Sequence, residues 1–384
     1  MSVTTPAPRH RLLSLDVFRG LTICLMIIVN NGTGKGFAQL EHADWNGCTL
    51  TDLVFPFFLF ITGVSLTFSF SSRLGSTSRS AAAASRLAQL PHIFRRAAII
   101  FAIGLLINAY PHYSLAVWRI PGVLQRIALC YLTASILYLW TGSRTRFAII
   151  AALLVGYWIL MRYVPVPGFG IPTVNIPLLD HDRNLATWLD RKLFGIHLFD
   201  HGRDPEGLLS TLPAIATTLF GVAIGEWIRL LHSEPTRLLR RIIAFGFACL
   251  LAAALWNLVF PFNKKLWTSS YVLLTAGLAM LALSACYWLF DVKRLRGRWT
   301  IIPVVFGTNC IFAYALSEFV AIFSVSVKFT MDGSLIDLKD AFNSFTFDNI
   351  PQHQWASFAY SLFFLTCCWF VTWLLYRRKI FLKV

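Results

Sequence analysis

His42, Asp44, Trp45, Asn46 and Asp52 fall within the stretch LEHADWNGCTLTD, residues 40–52, directly ahead of the apolar run LVFPFFLFITG. An imidazole beside carboxylates can take a proton from an attacking amine or hydroxyl, and neighbouring amides can hold the oxyanion that forms. Asp44 and Asp52 are both candidates to orient the ring. Asn30 and Asn31, which end the preceding apolar run, are candidate amide donors. Cys48 is a weaker nucleophile, because nothing around it in the sequence lowers a thiol pKa. The motif HLFDH places His197 and His201 four apart, with His181 and Asp182 nearby. That spacing suits a metal on a helix, but Gly and Pro surround it, so solvated loop histidines and no metal are the reading taken.

The elements that must position these residues are membrane helices. Of 384 residues, 57% are hydrophobic and 14% charged, and the mean hydropathy is +0.63; no soluble surface tolerates this balance. Windows long enough to cross a bilayer predict ten helices, with an eleventh as the upper limit, centred near residues 22, 60, 102, 131, 154, 219, 250, 279, 312 and 366. Continuous apolar runs without alternation exclude a barrel. The fold class expected is therefore an all-α polytopic transmembrane bundle. The first apolar segment carries Asp16 and Arg19 and lacks a cleavage site, so it is expected to stay in the mature chain.

Alternate connections collect the basic residues: Arg73, Arg79, Arg86, Arg95 and Arg96; Arg144 and Arg146; Arg229, Arg237, Arg240 and Arg241; then Lys293, Arg294, Arg296 and Arg298. The positive-inside rule makes these cytoplasmic, together with both termini. The expected division is a cytoplasmic tail over 1–12, one transmembrane domain over 13–377, and a second cytoplasmic tail over 378–384. Its principal external loops are 32–49, 164–207 and 325–354. A short helix is expected in ATWLDRKLFG within the second, and another within the third. The net charge of +16 is then topology plus attraction to anionic lipid, and nucleic acid is excluded as a partner. Seven of the eight cysteines lie in the expected spans, leaving Cys48 without a disulfide partner.

Ionisable groups inside spans persist only when paired or facing a cavity. Asp16 and Arg19, three apart, share one helix face and form either a structural pair or the lining of a ligand access route. Arg126 in GVLQRIALCY either neutralises a distant carboxylate, such as Asp52 or Glu206, or binds an anionic ligand.

SLDVFRGLTICLMIIVNNGTGKG followed by EHADWNGCTLTDLVFPFFLFITG resembles the opening signature of the heparan-α-glucosaminide N-acetyltransferase family, the lysosomal transmembrane acetyltransferase and its bacterial relatives. GVLQRIALCY, RDPEGLLSTLPAI, PFNKKLWTSSYVL and GTNCIFAYALSE follow in order, so the resemblance spans nearly the whole chain. By this resemblance the chain is expected to correspond to the membrane core only, without the luminal domain that precedes the first span in the lysosomal enzyme. The resemblance implies transfer of acetyl from cytosolic acetyl-CoA to the amine of glucosamine, or of a glucosamine-terminated oligosaccharide, on the periplasmic face of the bacterial inner membrane. It makes His42 the active-site base or acetyl carrier and Asn30 its companion, with Asn31 a competitor because the connection to the histidine is one residue longer. Trp45 and Asn46 of the same motif, and Asp52, support them. Arg126, Asp204, Glu206 and Lys264 are the expected substrate contacts. The other readings are a proton-coupled amino-sugar permease using His42, Asp52 and Arg126, and an O-acyltransferase of envelope polysaccharide. Lipids are expected partners, and the apolar outer faces also suit a homodimer.

Overall fold

A computed structural model describes residues 12–32, 36–71, 79–111, 113–114, 118–199, 202–331, 334–346, 350 and 352–382. Nearly all of the expected N-terminal tail, residues 1–11, lies outside them, as do Gly34 and Lys35 of the NNGTGKG stretch, His201 of HLFDH and the last two residues of the C-terminal tail.

Among the described residues, nine helices are long and apolar enough to span a membrane: α1 (Leu13–Asn30), α2 (Val54–Ser71), α3 (Arg79–Ala109), α4 (Val123–Trp140), α5 (Ser143–Tyr163), α7 (Thr211–Leu230), α8 (Pro235–Asn257), α9 (Ser269–Cys286) and α13 (His353–Arg377). The short α6 (Leu185–Phe194) occupies ATWLDRKLFG, as the sequence predicts. The expected span near residue 312 is broken. Here α10 (Ile301–Thr308) and α11 (Cys310–Ser326) meet at an angle of 81°. Counting that pair as one span gives ten.

The break has a local cause. Asn309 leaves helical geometry at φ −127° and ψ 42°, and its buried side chain is engaged by the end of the chain. Its Nδ2 donates to the Ile380 carbonyl at 3.1 Å, and the Leu382 N–H donates to its Oδ1 at 2.9 Å. The tail thus satisfies polar groups that a continuous helix would not expose. Arg19 stabilises the same corner: Nη1 donates to the Gly307 carbonyl at 3.0 Å, near the C-terminal end of α10, and Nη2 to Ser65 Oγ at 2.6 Å. With Asp16 Oδ1 3.4 Å from its guanidinium, Arg19 ties α1, α2 and α10 together. The structural-pair alternative for these two residues is the one realised.

The bundle has an inner and an outer layer. The most enclosed helix is α7, 89% of whose spanning window is buried, with α2, α4, α5 and α9 packed against it; the outer faces of α3, α5, α8 and α13 are largely lipid-facing in character. Glycines set the crossing of α2 and α7. A Cβ on Gly63 of α2 would lie 2.0 Å from the Thr218 carbonyl of α7, and one on Gly221 would lie 2.0 Å from the Phe60 carbonyl. Small residues permit backbone contact where lipid provides no hydrophobic drive for association. This contact matters for function, because α2 begins beside Asp52 and α7 begins after Glu206.

The 325–354 loop contains more than the expected helix. Strands β1 (Lys328–Met331) and β2 (Ser334–Asp337) form an antiparallel hairpin ahead of α12 (Leu338–Thr346). Lys339 Nζ of α12 donates to the Gly32 carbonyl at 2.7 Å, which brings this loop against the end of α1.

Candidate active site

Loops from distant parts of the chain meet at one end of the bundle. The Gly47 N–H donates to the Phe262 carbonyl at 2.8 Å, Trp45 Nε1 to the Leu179 carbonyl at 2.7 Å, and Asn263 Nδ2 to Asn46 Oδ1 at 3.2 Å. Trp45 also stacks on His181 with centroids 3.8 Å apart. Trp45 and Asn46 therefore fasten the 40–50 segment to the 164–210 and 258–268 segments. These side chains hold the loop in place.

What they hold is a carboxylate–imidazole pair. His42 Nδ1 lies 2.7 Å from Asp52 Oδ1. The other carboxylate oxygen accepts from the backbone N–H of Ala43 at 3.2 Å, from that of Thr49 at 3.0 Å, and from Thr49 Oγ1 at 3.1 Å. Tyr271 adds a hydroxyl bond to the Asp52 carbonyl. A carboxylate accepts only, so the Nδ1 of a neutral ring carries the proton and Nε2 keeps its lone pair. Accessibility divides the pair: the Asp52 side chain is 1% exposed and that of His42 47%. The partner is fixed and the ring is reachable. Asp44, the other candidate orienter, instead gives its backbone carbonyl to Lys265 Nζ at 2.8 Å.

A cavity of about 200 Å³ lies against the ring, with Asn30, Glu41, Gly36, Gln354 and Ser357 in its wall. Asn30 Nδ2 donates to Glu318 Oε1 of α11 at 3.3 Å. Asn31 is buried and donates to the Ile27 carbonyl of its own helix at 2.8 Å. Of the two amides, Asn30 is the one that shares a cavity with His42.

Lys264 stands on the dyad. Its Nζ is 3.0 Å from His42 Nδ1, 3.2 Å from Nε2 and 3.7 Å from Asp52 Oδ1. Near-equal distances to both ring nitrogens set the ammonium over the ring face. Burial lowers its pKa, against the raising effect of Asp52 and Glu206. Cys48 is pushed up to about 12 by burial and the Asp52 charge; a thiol held protonated is no nucleophile.

Asp204 and Glu206 are brought to the same end and are already engaged. Arg119 Nε and Nη2 grip Asp204 at 2.8 and 2.7 Å, and Nη2 reaches Glu206 Oε2 at 2.6 Å. Arg126 does not line the cavity. Its side chain is fully buried, donates to the Gly207 carbonyl at 3.0 Å and to Ser210 Oγ, and lies over the Trp267 ring at 5.0 Å. No ion pair joins it to Asp52 or Glu206 among the described residues. The carboxylate within its electrostatic reach is Asp190, which burial pushes up to about 7. Asp190 Oδ1 accepts from the Leu208 N–H at 2.9 Å, and a Cβ on Gly207 would meet Asp190 Oδ2 at 1.8 Å. Arg119, Arg126 and Asp190 therefore brace the DPEG loop, residues 204–207, from three sides. Helix α6 stops at Phe194, before His197, whose Nδ1 is 2.8 Å from the Trp118 carbonyl.

Arg119, Asp190 and Glu318 are absent from the sequence-based site. Each left a signal: an arginine on the face where the positive-inside rule leaves few, a carboxylate on the buried stripe of α6, and an ionisable residue within a span.

A sequence profile described as heparan-alpha-glucosaminide N-acetyltransferase, catalytic, matches residues 11–251. The chain is 30% identical to the Homo sapiens heparan-alpha-glucosaminide N-acetyltransferase over 97% of its own length and 60% of that protein. It is 31% identical to the Mus musculus protein of the same name, over 82% of this chain and 54% of that one. The chain thus spans about 60% of the length of the human relative it matches.

Proposed function

The chain belongs to the heparan-alpha-glucosaminide N-acetyltransferase catalytic family, and on that premise we propose that it is a multi-pass membrane acetyltransferase. The donor is acetyl-CoA, and the acceptor is the amine of glucosamine or of a terminal glucosamine residue. The observation that carries this reading is the His42–Asp52 pair at 2.7 Å, with the buried carboxylate fixing Nδ1 and the exposed ring facing the cavity shared with Asn30.

Both routes open to His42 need the Nε2 lone pair. As base, Nε2 removes a proton from the amine as its nitrogen bonds to the acetyl carbon, and the departing CoA sulfur takes up a proton. As carrier, Nε2 itself bonds to the acetyl carbon, CoA leaves, and the amine then attacks the acetyl-imidazole. Asp52 balances the positive charge that the ring gains on either route.

The reading places the protein in the bacterial inner membrane, with both termini cytoplasmic and the His42 end facing the periplasm. CoA phosphates would then meet the basic opposite end, while the thioester passes between helices to His42. Proteoliposomes loaded with acetyl-CoA and given glucosamine outside test this. Release of CoA inside, with N-acetylglucosamine appearing outside, is the expected result. Accumulation of unmodified sugar without CoA release would overturn it in favour of a permease. An alkali-labile product would redirect it to O-acylation.

A further inference from the structure

The geometry points to Lys264 as a further catalytic residue whose ammonium takes the negative charge that develops on the acetyl oxygen during transfer. This rests on the acetyltransferase reading and assigns Lys264 a role other than the acceptor contact expected from sequence. Its Nζ is 3.2 Å from His42 Nε2, the nitrogen that bonds to the acetyl carbon on the carrier route and holds the attacking amine against that carbon on the base route. An oxygen on that carbon is one bond further out, within reach of an ammonium poised over the ring. When the nucleophile's electron pair forms the new bond, the carbonyl π pair moves to oxygen, and a Lys264 N–H donates to that oxygen without giving up its proton. When the adduct collapses, the pair returns and the carbon–sulfur bond to CoA breaks. Donors fixed beforehand where charge develops are the usual means of stabilising such an adduct.

The surroundings fit this use. Lys264 faces His42 and Cys48 from the 40–50 segment, Asp52 at the start of α2, and Glu206 from the loop before α7. The Asp52 carboxylate is already held by four donor contacts, so Lys264 at 3.7 Å is not needed to orient it. The neighbouring Lys265 turns away, to the Asp44 carbonyl and to the Trp45 ring at 5.8 Å. Burial lowers the Lys264 pKa, so the charge is lost at a lower pH than that of a solvated lysine.

Three proteins decide the question: wild type, Lys264→Gln and Lys264→Arg, assayed for acetyl-CoA-dependent acetylation of saturating glucosamine from about pH 6 to 10. Loss of one such donor costs about 10²–10³-fold in kcat, and that is the expectation for Lys264→Gln, with KM for glucosamine little changed. Wild-type kcat falls at alkaline pH as the ammonium deprotonates. Lys264→Arg retains part of the rate and loses that alkaline limb, because a guanidinium stays charged. A Lys264→Gln protein with normal kcat and raised KM would overturn the inference and return Lys264 to acceptor binding. A loss uniform across pH, with the alkaline limb kept in Lys264→Arg, would reduce it to a structural role. If Lys264→Arg fails to fold, the kcat and KM of Lys264→Gln still decide. Wild type without any transfer would overturn the acetyltransferase reading itself, and this role with it.

Discussion

Replacing Asp52 by Asn should stop acetyl transfer while leaving the fold in place, and the hydrogen bonds around Asp52 give the reason. Asp52 Oδ2 accepts from the Ala43 N–H, the Thr49 N–H and Thr49 Oγ1. An asparagine has one oxygen, and these three donors must keep it, since two are backbone groups of a loop fastened elsewhere. The amide nitrogen is then forced toward His42 Nδ1, where the carboxylate oxygen stood at 2.7 Å. A donor in that position requires Nδ1 to accept, which moves the ring proton to Nε2 and removes the lone pair that transfer needs. The same inversion of a histidine tautomer in serine hydrolases costs about 10⁴ in kcat, equivalent to roughly 5 kcal/mol of barrier. Here the expectation is a loss of about 10³–10⁴-fold in the initial rate of glucosamine acetylation. Thermal stabilisation by acetyl-CoA should persist, and the melting temperature should move little because every donor to Oδ2 is retained. A folded Asp52→Asn protein within about threefold of wild-type kcat would refute the tautomer argument, and with it the role of the pair.

Asp190 gives a pH test. Its carboxyl is pushed up to about 7 by burial, against about 3.9 in an unfolded chain. The folded protein therefore holds this proton more tightly, and the stability it contributes is whole below about pH 4 and lost as pH rises through about 7. The wild-type melting temperature should fall between pH 5 and 8, and Asp190→Asn should flatten that slope; equal slopes would count against the assignment. Gly63→Ala puts a Cβ 2.0 Å from the Thr218 carbonyl, so α2 and α7 must part, at about 1–3 kcal/mol. A melting temperature unchanged in detergent would show that the crossing is looser than described. Arg119→Gln frees Asp204 and Glu206 from a two-pronged grip; KM for the amino sugar should rise with acetyl-CoA stabilisation intact, and steady-state kinetics read both.

Much of the fold was legible because a bilayer permits few solutions. A run of apolar residues must be a helix, and nine of the ten expected segments are continuous helices. The broken one was not legible. Asn309 reads as one polar residue in an apolar window, and its partners, Ile380 and Leu382, are distant in sequence. The hairpin at 328–337 escaped for a different reason: a two-stranded ribbon of four-residue strands has too little alternation to register. In the site, His42, Asn30 and Asp52 stood out as polar groups beside apolar runs, and the structure places them together. Arg119 and Asp190 did not, because their partners, the Asp204 and Glu206 carboxylates and the Leu208 N–H, are distant in sequence and leave no spacing to read. Arg126 drew attention for its cost of burial and binds the DPEG loop and Ser210 through Nη2.

The position of Asp52 explains why the dyad can tolerate a buried carboxylate at all. Residues Thr51–Leu53 form a short turn that leads directly into α2, so the carboxylate lies at the positive end of that helix, with backbone and hydroxyl donors on Oδ2. The fold thereby stabilises the anion mainly through donors fixed on Oδ2, and the Lys264 ammonium adds a looser ion pair, 3.7 Å from Oδ1. That ammonium lies closer to the imidazole, at 3.0 and 3.2 Å from its nitrogens. A cation kept near the ring, and only loosely paired with the carboxylate, is available to the acetyl oxygen. The chemistry assigned to His42 therefore depends on where α2 begins, and a shift of α2 against α7 would disturb the imidazole, the carboxylate and the lysine together.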